Sequence, residues 1–335
     1  MEYKYDVIII GAGPAGLECA KQFIQTDLSV LIIEKNEIIG PKICAGGLTT
    51  LTKDFDIPEE KTRNFAVRKF YIGNRLYNES MTDPIRTIDR LDLGLYQLGQ
   101  IQNSENIKVL TGTQIRTIDN NKVVTKNKET FYFEYLVGAD GSNSIVRRYL
   151  GLKSKFNFGF YYNVPEVTNE LIWCVNPKEL KTGYIWVFPH QKHTNIGVYF
   201  NPKEIRPKKA RKCLESYLNR NDFPFSMQDI KGSICNYYYQ GFEFKNIFLV
   251  GDAAGLLLKG TGEGISFALI SGREVGRKIL NPNYKTQELD KILKYKRKHE
   301  RMLKVLEIFP VLQTVIWKLY FSLKNIKKFQ AYFGK

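Results

Sequence analysis

The segment Asp6–Phe23, DVIIIGAGPAGLECAKQF, restricts the fold of this chain more than any other stretch. Val7–Ile10 is an unbroken apolar run, the pattern of a parallel strand covered on both faces. Gly11, Gly13 and Gly16 follow with dinucleotide-turn spacing. The first allows a tight turn, the second lets backbone N–H groups approach a pyrophosphate, and the third lets a helix pack closely on the strand. Pro14 and Ala15 open that helix, where a proline is tolerated and free N–H groups attract phosphate. A second apolar run, Ser29–Ile33, ends at Glu34 and Lys35, and Glu34 is placed to accept hydrogen bonds from the adenosine ribose hydroxyls. Strand, glycine turn, helix, strand and terminal Glu together predict an α/β, Rossmann-like domain that holds a dinucleotide.

NAD would suit such a domain as well as FAD, and two later segments bear on the choice. YLVGADGSNSIVRRYLG spans Tyr135–Gly151, and NIFLVGDAAGLLLKGTGEGISFA spans Asn246–Ala268. Ile247–Val250 reads as another buried strand, with Gly251 and Asp252 at its carboxyl end, where open α/β sheets bind ligands. These segments resemble FAD-dependent reductases and hydroxylases. The resemblance implies a fold of the glutathione-reductase/hydroxylase type with FAD as cofactor. It implies that Asp252 binds the ribityl chain, and that the backbone of Thr261, Gly262, Glu263 and Gly264, entering a helix at Ile265, lies near the flavin ring. Asp140 and Arg147 resemble the DG fingerprint of this superfamily. Arg90 and Asp92, in IDRLDLGLYQL, resemble its flavin-facing helix start.

The cofactor-binding part reads as discontinuous, made of 1–65, 86–151 and 245–280. Within it, a helix after Arg90 leads into a meander with turns at Thr111-Gly112, Asp119-Asn120-Asn121 and Lys126-Asn127-Lys128. A long helix is expected through Ile265, Ala268, Leu269, Gly272 and Val275. Residues 66–85 and 152–244 have the texture of an inserted antiparallel-sheet substrate domain, with a hairpin around Gly73-Asn74 and aromatic-rich runs separated by Pro165, Pro177 and Pro189. A helix is predicted over about 207–219. Residues 281–335 read as a basic, amphipathic C-terminal helical tail.

TGYIWVFP, Thr182–Pro189, and PKICAGGL, Pro41–Leu48, are more specific. The first matches the Y-x-W-x-F-P motif of geranylgeranyl reductases, and the second resembles the Cys-Gly segment of the same family. That resemblance implies reduction of carbon–carbon double bonds in a geranylgeranyl or polyprenyl chain. It puts Cys44, with Ala45 and Gly46, beside the flavin, and it makes Cys44, Tyr184 and Trp186 the expected catalytic group. In a strand Tyr184, Trp186 and Phe188 share one face, an aromatic wall suited with Pro189 to a long hydrocarbon. Cys44, Tyr184 and backbone-held water are all open as proton source. NADPH and ferredoxin are both open as reductant, there being no second G-x-G-x-x-G.

Charge and cysteines exclude other classes. The chain of 335 residues carries a net charge of +16, yet it has no nucleic-acid-binding signature, so nucleic acid is not an expected partner. Segment 281–335 holds thirteen Lys/Arg against four Asp/Glu, interleaved with Trp317, Tyr320, Phe321 and Phe329. Ile308–Trp317 is interrupted by Pro310 and followed by Lys318 and Lys324, too short a run to span a bilayer. Such a segment suits an anionic membrane surface or packing on the body of the protein. Five scattered cysteines without a C-x-x-C pair, and three histidines without H-x-x-x-H, predict neither disulfides nor a metal, and hence a reducing, cytoplasmic setting with peripheral membrane contact. A strand beginning within five residues of Met1 leaves no secretory leader expected. Flavin monooxygenase chemistry, and electron carriage at a membrane, are the alternative functions.

Overall fold

The computed structural model describes residues 2–309 and 312–323. The chain opens with β1 (Glu2–Ile10), α1 (Pro14–Lys21) and β2 (Val30–Ile33). A short β3 (Gly47–Leu48) precedes the hairpin β4 (Thr62–Ile72) and β5 (Arg75–Ile88). Then come α2 (Arg90–Ile101), β6 (Ile107–Leu110), β7 (Ile115–Asp119), β8 (Lys122–Thr125), β9 (Thr130–Gly138) and α3 (Ile145–Tyr149). The middle holds β10 (Phe156–Val164), β11 (Leu171–Val175), α4 (Pro177–Leu180), β12 (Tyr184–Pro189), β13 (Thr194–Phe200), α5 (Pro207–Arg220) and β14 (Lys231–Asn236). Last are β15 (Glu243–Phe244), β16 (Ile247–Leu249), α6 (Gly251–Ala254), α7 (Ile265–Leu280), α8 (Gln287–Ile308) and α9 (Gln313–Leu323).

In the first sheet β16, β9, β1, β2 and β6 run parallel in that order. Ile8 and Ile10 enter one core with Leu31 and Leu136, while Val7 and Ile9 enter another with Val30 and the α1 residues Leu17 and Cys19. Covering on both faces is the reason Val7–Ile10 is apolar at every position. α7 packs on α1 so closely that a Cβ at Gly272 would lie 2.2 Å from the Ala15 carbonyl oxygen.

The second sheet runs β14-β10-β13-β12-β11-β4-β5-β3. Its described pairings are antiparallel except for β4 with β11, which is parallel. Here period two is visible. Ile185 and Val187 pack with Ala210, Leu214 and Leu218 of α5, whereas Trp186 and Phe188 turn the other way, into a cluster with Phe65, Tyr161 and Tyr199.

Two expectations need correction, and an open one is decided. β6 is not part of the meander: it pairs with β2 and extends the parallel sheet, leaving β7-β8-β9 as the meander. The hairpin runs from Thr62 to Ile88, so boundaries at 65/66 and 85/86 cut through its strands. Of the two readings open for the C-terminal segment, the described residues of 287–323 show packing on the body of the protein. Leu289, Ile292 and Leu293 of α8 belong to the main core, and Lys296, 2% exposed, donates to the carbonyls of Tyr237 (2.9 Å) and Leu257 (2.6 Å) and to Glu300 (2.6 Å). In α9, Phe321 packs on Phe70 and Tyr77 of the hairpin. Pro310, Lys324 and Phe329 lie outside the described residues. No helix among the described residues is long and apolar enough to cross a membrane.

Candidate functional site

The two sheets border one cavity of about 2190 Å³, well beyond the several hundred Å³ of an ordinary small-molecule pocket. At one end lies the turn after β1. Gly11 (φ +105°) has no room for a side chain, because a Cβ there would lie 2.5 Å from the Ala139 carbonyl oxygen. At Gly16 a Cβ would lie 2.0 Å from the Gly11 carbonyl oxygen, so this glycine supports the turn from behind and is not part of the lining. A Cβ at Gly13 would meet nothing of the protein within 4 Å, and Gly13, Pro14 and Ala15 present the uncapped start of α1 to the cavity. Glu34 is oriented by two backbone groups: Ala12 N–H donates to Oε2 (2.8 Å) and Asn36 N–H to Oε1 (2.9 Å). Glu34 and Lys35 both line the space.

Further in, Arg90 and Asp140 face the cavity with buried atoms that lack protein partners, Nε and Oδ1 respectively. Asp140 Oδ2 accepts from Ile145 N–H (2.6 Å), and burial raises the acid above the ordinary carboxyl range. Asp252 Oδ2 accepts from Lys42 Nζ (3.0 Å) and Ser142 Oγ (3.1 Å), and the Lys42 ammonium is raised chiefly by this carboxylate. Gly251, Gly262, Gly264 and Ile265 line the same region, where the start of α7 carries no side-chain cap. Cys44 and Ala45 line it as well; Gly46 does not, being set against the Ile88 carbonyl.

Tyr184, Trp186 and Phe188 form one wall, and Phe70, Trp173 and Leu257 continue it. Trp186 Nε1 donates to Asn195 Oδ1 (2.7 Å), which fixes the indole by its polar edge. The Tyr184 hydroxyl donates to the Thr261 carbonyl, and burial pushes its pKa well up, making it a poor acid. α8 and α9 add Met302, Leu306, Ile316, Trp317 and Phe321 as a cover. Pro189 stands apart: it is buried outside the lining, its carbonyl accepting from Thr87 Oγ1. Arg147 and Asp92 are also elsewhere. Arg147, 1% exposed, donates to the carbonyls of Lys153, Ala253 and Tyr238 and to Gln240, clamping three segments together. Asp92 is half-buried, 3.9 Å from Lys61.

Several lining residues were not singled out from sequence. Lys42 and Ser142 on Asp252 are two, and the Glu263 side chain is a third. Glu263 Oε1 accepts from Thr49 Oγ1 (2.6 Å) and Ser266 Oγ (2.7 Å), and burial raises its pKa against the pull of those hydrogen bonds. GEG in a turn signalled only backbone approach; a buried carboxyl needs the neighbouring Thr49 loop to be seen.

The residues fit FAD on their own geometry: open space at Gly13, an oriented acid at the end of β2, two orphaned polar atoms mid-cavity, and an uncapped helix start beyond. Residues 100–307 match the family described as FAD binding domain, and residues 5–170 match pyridine nucleotide-disulphide oxidoreductase. Digeranylgeranylglycerophospholipid reductase 3 of Methanosphaera stadtmanae is 28% identical over 88% of this chain and 83% of that protein. Geranylgeranyl diphosphate reductase of Rhodobacter capsulatus is 26% identical over 81% and 73%. A geranylgeranyl bacteriochlorophyll reductase-like structure from Thermoplasma acidophilum superposes with a TM-score of 0.80 at 20% identity, covering 98% of this chain and 93% of that one. The chain belongs to the FAD binding domain family of FAD-dependent oxidoreductases.

Proposed function

We propose that this FAD-dependent oxidoreductase saturates carbon–carbon double bonds in a geranylgeranyl or longer polyprenyl chain carried by a lipid or isoprenoid substrate. The observation that carries the reading is the single cavity, which passes without a break from the dinucleotide turn into an aromatic and aliphatic chamber. In this assignment Glu34 accepts from the adenosine ribose, the turn Gly11–Ala15 takes the pyrophosphate with Lys35 at its edge, and Asp252 takes the ribityl chain. Arg90, Asp140 and the Gly262–Gly264 backbone complete the cradle beside Cys44 and Ala45. When bound and reduced, the flavin supplies hydride to one alkene carbon.

The rest falls to the protein. Tyr184, Trp186 and Phe188 grip the hydrocarbon and exclude water, which strengthens every remaining electrostatic contact. Tyr184 positions the Thr261–Gly264 turn through its hydroxyl. Glu263 holds a proton to higher pH than an ordinary carboxyl and is the group we assign to deliver it, with Cys44 as a second acidic hydrogen on the same cavity lining. The exposed apolar residues Val305, Ile308, Phe309, Leu312, Val315 and Leu319, with exposed Lys304 and Lys318, suit peripheral contact with an anionic membrane, from which a lipid tail would enter beneath α9. NADPH or an acidic ferredoxin is the reductant in this proposal, the latter favoured by the basic surface.

Lipid mass spectrometry of expressing cells, followed by an anaerobic assay with chemically reduced enzyme, tests the reading. Products gaining hydrogen pairs without oxygen are expected. Turnover that requires oxygen would instead mark a monooxygenase, and quinone reduction with no saturated product an electron carrier.

A further inference from the structure

Asp89, His190 and His193 meet outside the cavity lining, where the start of α2 faces the β12–β13 turn. One potential ligand atom from each of Asp89, His190 and His193 lies within 4.8 Å of the others. Asp89 Oδ1 is 3.6 Å from Nδ1 of His190 and 3.6 Å from Nε2 of His193. The turn is closed by His190 N–H donating to the His193 carbonyl (2.8 Å), and the two rings lie nearly parallel at 8° with centroids 4.7 Å apart.

Two features separate this group from a chance cluster of polar side chains. First, His190 is 3% exposed, and its Nδ1 is buried with no hydrogen-bond partner. Its Nε2 lies 3.0 Å from the Ala45 carbonyl, which can only accept, so Nε2 carries the hydrogen and Nδ1 the lone pair. A backbone carbonyl fixing the tautomer in this way is the usual second support of a metal-bound histidine. Second, Asp89 occupies the N-cap position of α2, where a carboxylate ordinarily accepts from the first-turn N–H groups. It makes no such cap and is turned toward the histidines instead. With Nε2 carrying the hydrogen, an Asp89 oxygen faces the bare lone pair of His190 Nδ1 at 3.6 Å. Acceptor facing acceptor is unfavourable unless a cation lies between them.

We propose that Asp89, His190 and His193 bind one divalent transition-metal cation, Zn2+ by donor type, which pins the Cys44–Gly46 loop to the start of α2. Two imidazoles and a carboxylate are ligands of that class; the two Asp89–imidazole separations of 3.6 Å approach the ~3.4 Å edge of a tetrahedron with bonds of about 2.0–2.1 Å, and the solvent-side His193 ring would turn out of its stack on His190 to aim its lone pair at the ion. The fourth position would be water, since Asp89 (33%) and His193 (19%) reach solvent. The link to the loop is direct. Ala45 accepts from His190, and a Cβ on Gly46 would lie 2.7 Å from the His190 ring. Arg63, which donates to the His190 carbonyl (3.1 Å), and Lys231 near His193 oppose a dication and set a limit on affinity. The histidine pair was passed over in sequence because its spacing is H-x-x-H on a strand turn and its third ligand lies about a hundred residues upstream. The site holds whichever reaction the cavity performs.

The test is equilibrium dialysis of chelator-stripped, FAD-loaded full-length protein against micromolar Zn2+, with metal analysis and X-ray absorption at the zinc edge. The expected result is one Zn2+ per chain with a nitrogen/oxygen shell, and affinity lower by about tenfold or more in His193→Ala and Asp89→Asn. The five cysteines are the competing ligands. No zinc retained, a sulfur shell, or unchanged binding in both variants would overturn the site. His193 is on the surface side of the pair, so His193→Ala is the variant expected to fold. The absorption edge of the unaltered protein decides the question without any variant.

Discussion

The two sheets meet the same cavity with opposite means. The parallel sheet contributes backbone in glycine turns and a helix start, with a few strand-end carboxylates such as Glu34 and Asp252. The second sheet contributes side-chain faces, Tyr184, Trp186 and Phe188 of β12 among them. The first surface tolerates almost no substitution because main-chain atoms must approach one another. The second tolerates exchange of one apolar group for another. Rigid chemistry at one end and a repackable chamber at the other suit a fixed cofactor and a flexible hydrocarbon.

Substitutions can break that contrast. The largest effect is expected at Gly16→Val, where side-chain atoms would overlap the Gly11 carbonyl. The loss should exceed about 4 kcal/mol and remove soluble, folded protein, read by circular dichroism. Gly13→Val has open space at the same turn and should fold normally. It should weaken FAD binding by about a hundredfold, or ~2.7 kcal/mol, measured by fluorescence titration. If both variants fold and stay yellow, the backbone reading of this end is wrong.

Glu18 sharpens the comparison from beneath the cofactor turn. It is 5% exposed in α1, and burial pushes its carboxyl up to about 7. Between the unfolded value near 4.5 and 7, the folded state holds a proton that the unfolded chain has released. Unfolding free energy should therefore fall as pH rises through that window, by about 3 kcal/mol in total. Glu18→Gln should flatten the slope in urea denaturation series at pH 5 and pH 8; an unchanged slope would place the pH dependence elsewhere.

On the chamber side effects should be smaller. Phe188→Leu is expected to cost about 1.5 kcal/mol of stability and raise the KM for a prenyl substrate severalfold, with FAD affinity unchanged. Smallest of all is Tyr184→Phe, which removes one hydrogen bond to Thr261, worth about 1 kcal/mol. Its turnover should stay within about threefold, since a phenol so weakly acidic is a poor proton source. Glu263→Gln should lower turnover far more at equal FAD content, and if Tyr184→Phe proves the more damaging, the assignment of the proton passes to the phenol.

Legibility in the sequence followed the same division. Glycines set against a carbonyl leave a fixed spacing, so Gly11 and Gly16, with Gly13 open to the cavity between them, could be read residue by residue. The Y-x-W-x-F pattern gave the shared face of β12, because strand side chains alternate regardless of context. Pro189, Arg147 and Asp92 were different. Motif membership could not reveal that Pro189 is turned out of the lining, or that Arg147 is buried among carbonyls from three segments.

By itself, then, the order of residues determined the α/β class, the dinucleotide turn and the aromatic wall, since each depends on near neighbours or on a fixed period. Only tertiary structure decided that α8 and α9 cover the cavity, that Thr49 and Ser266 hold Glu263, and that Asp89 faces two histidines. Those meetings join residues up to some two hundred positions apart. Burial and partners arise from how the chain packs, and no local pattern encodes them.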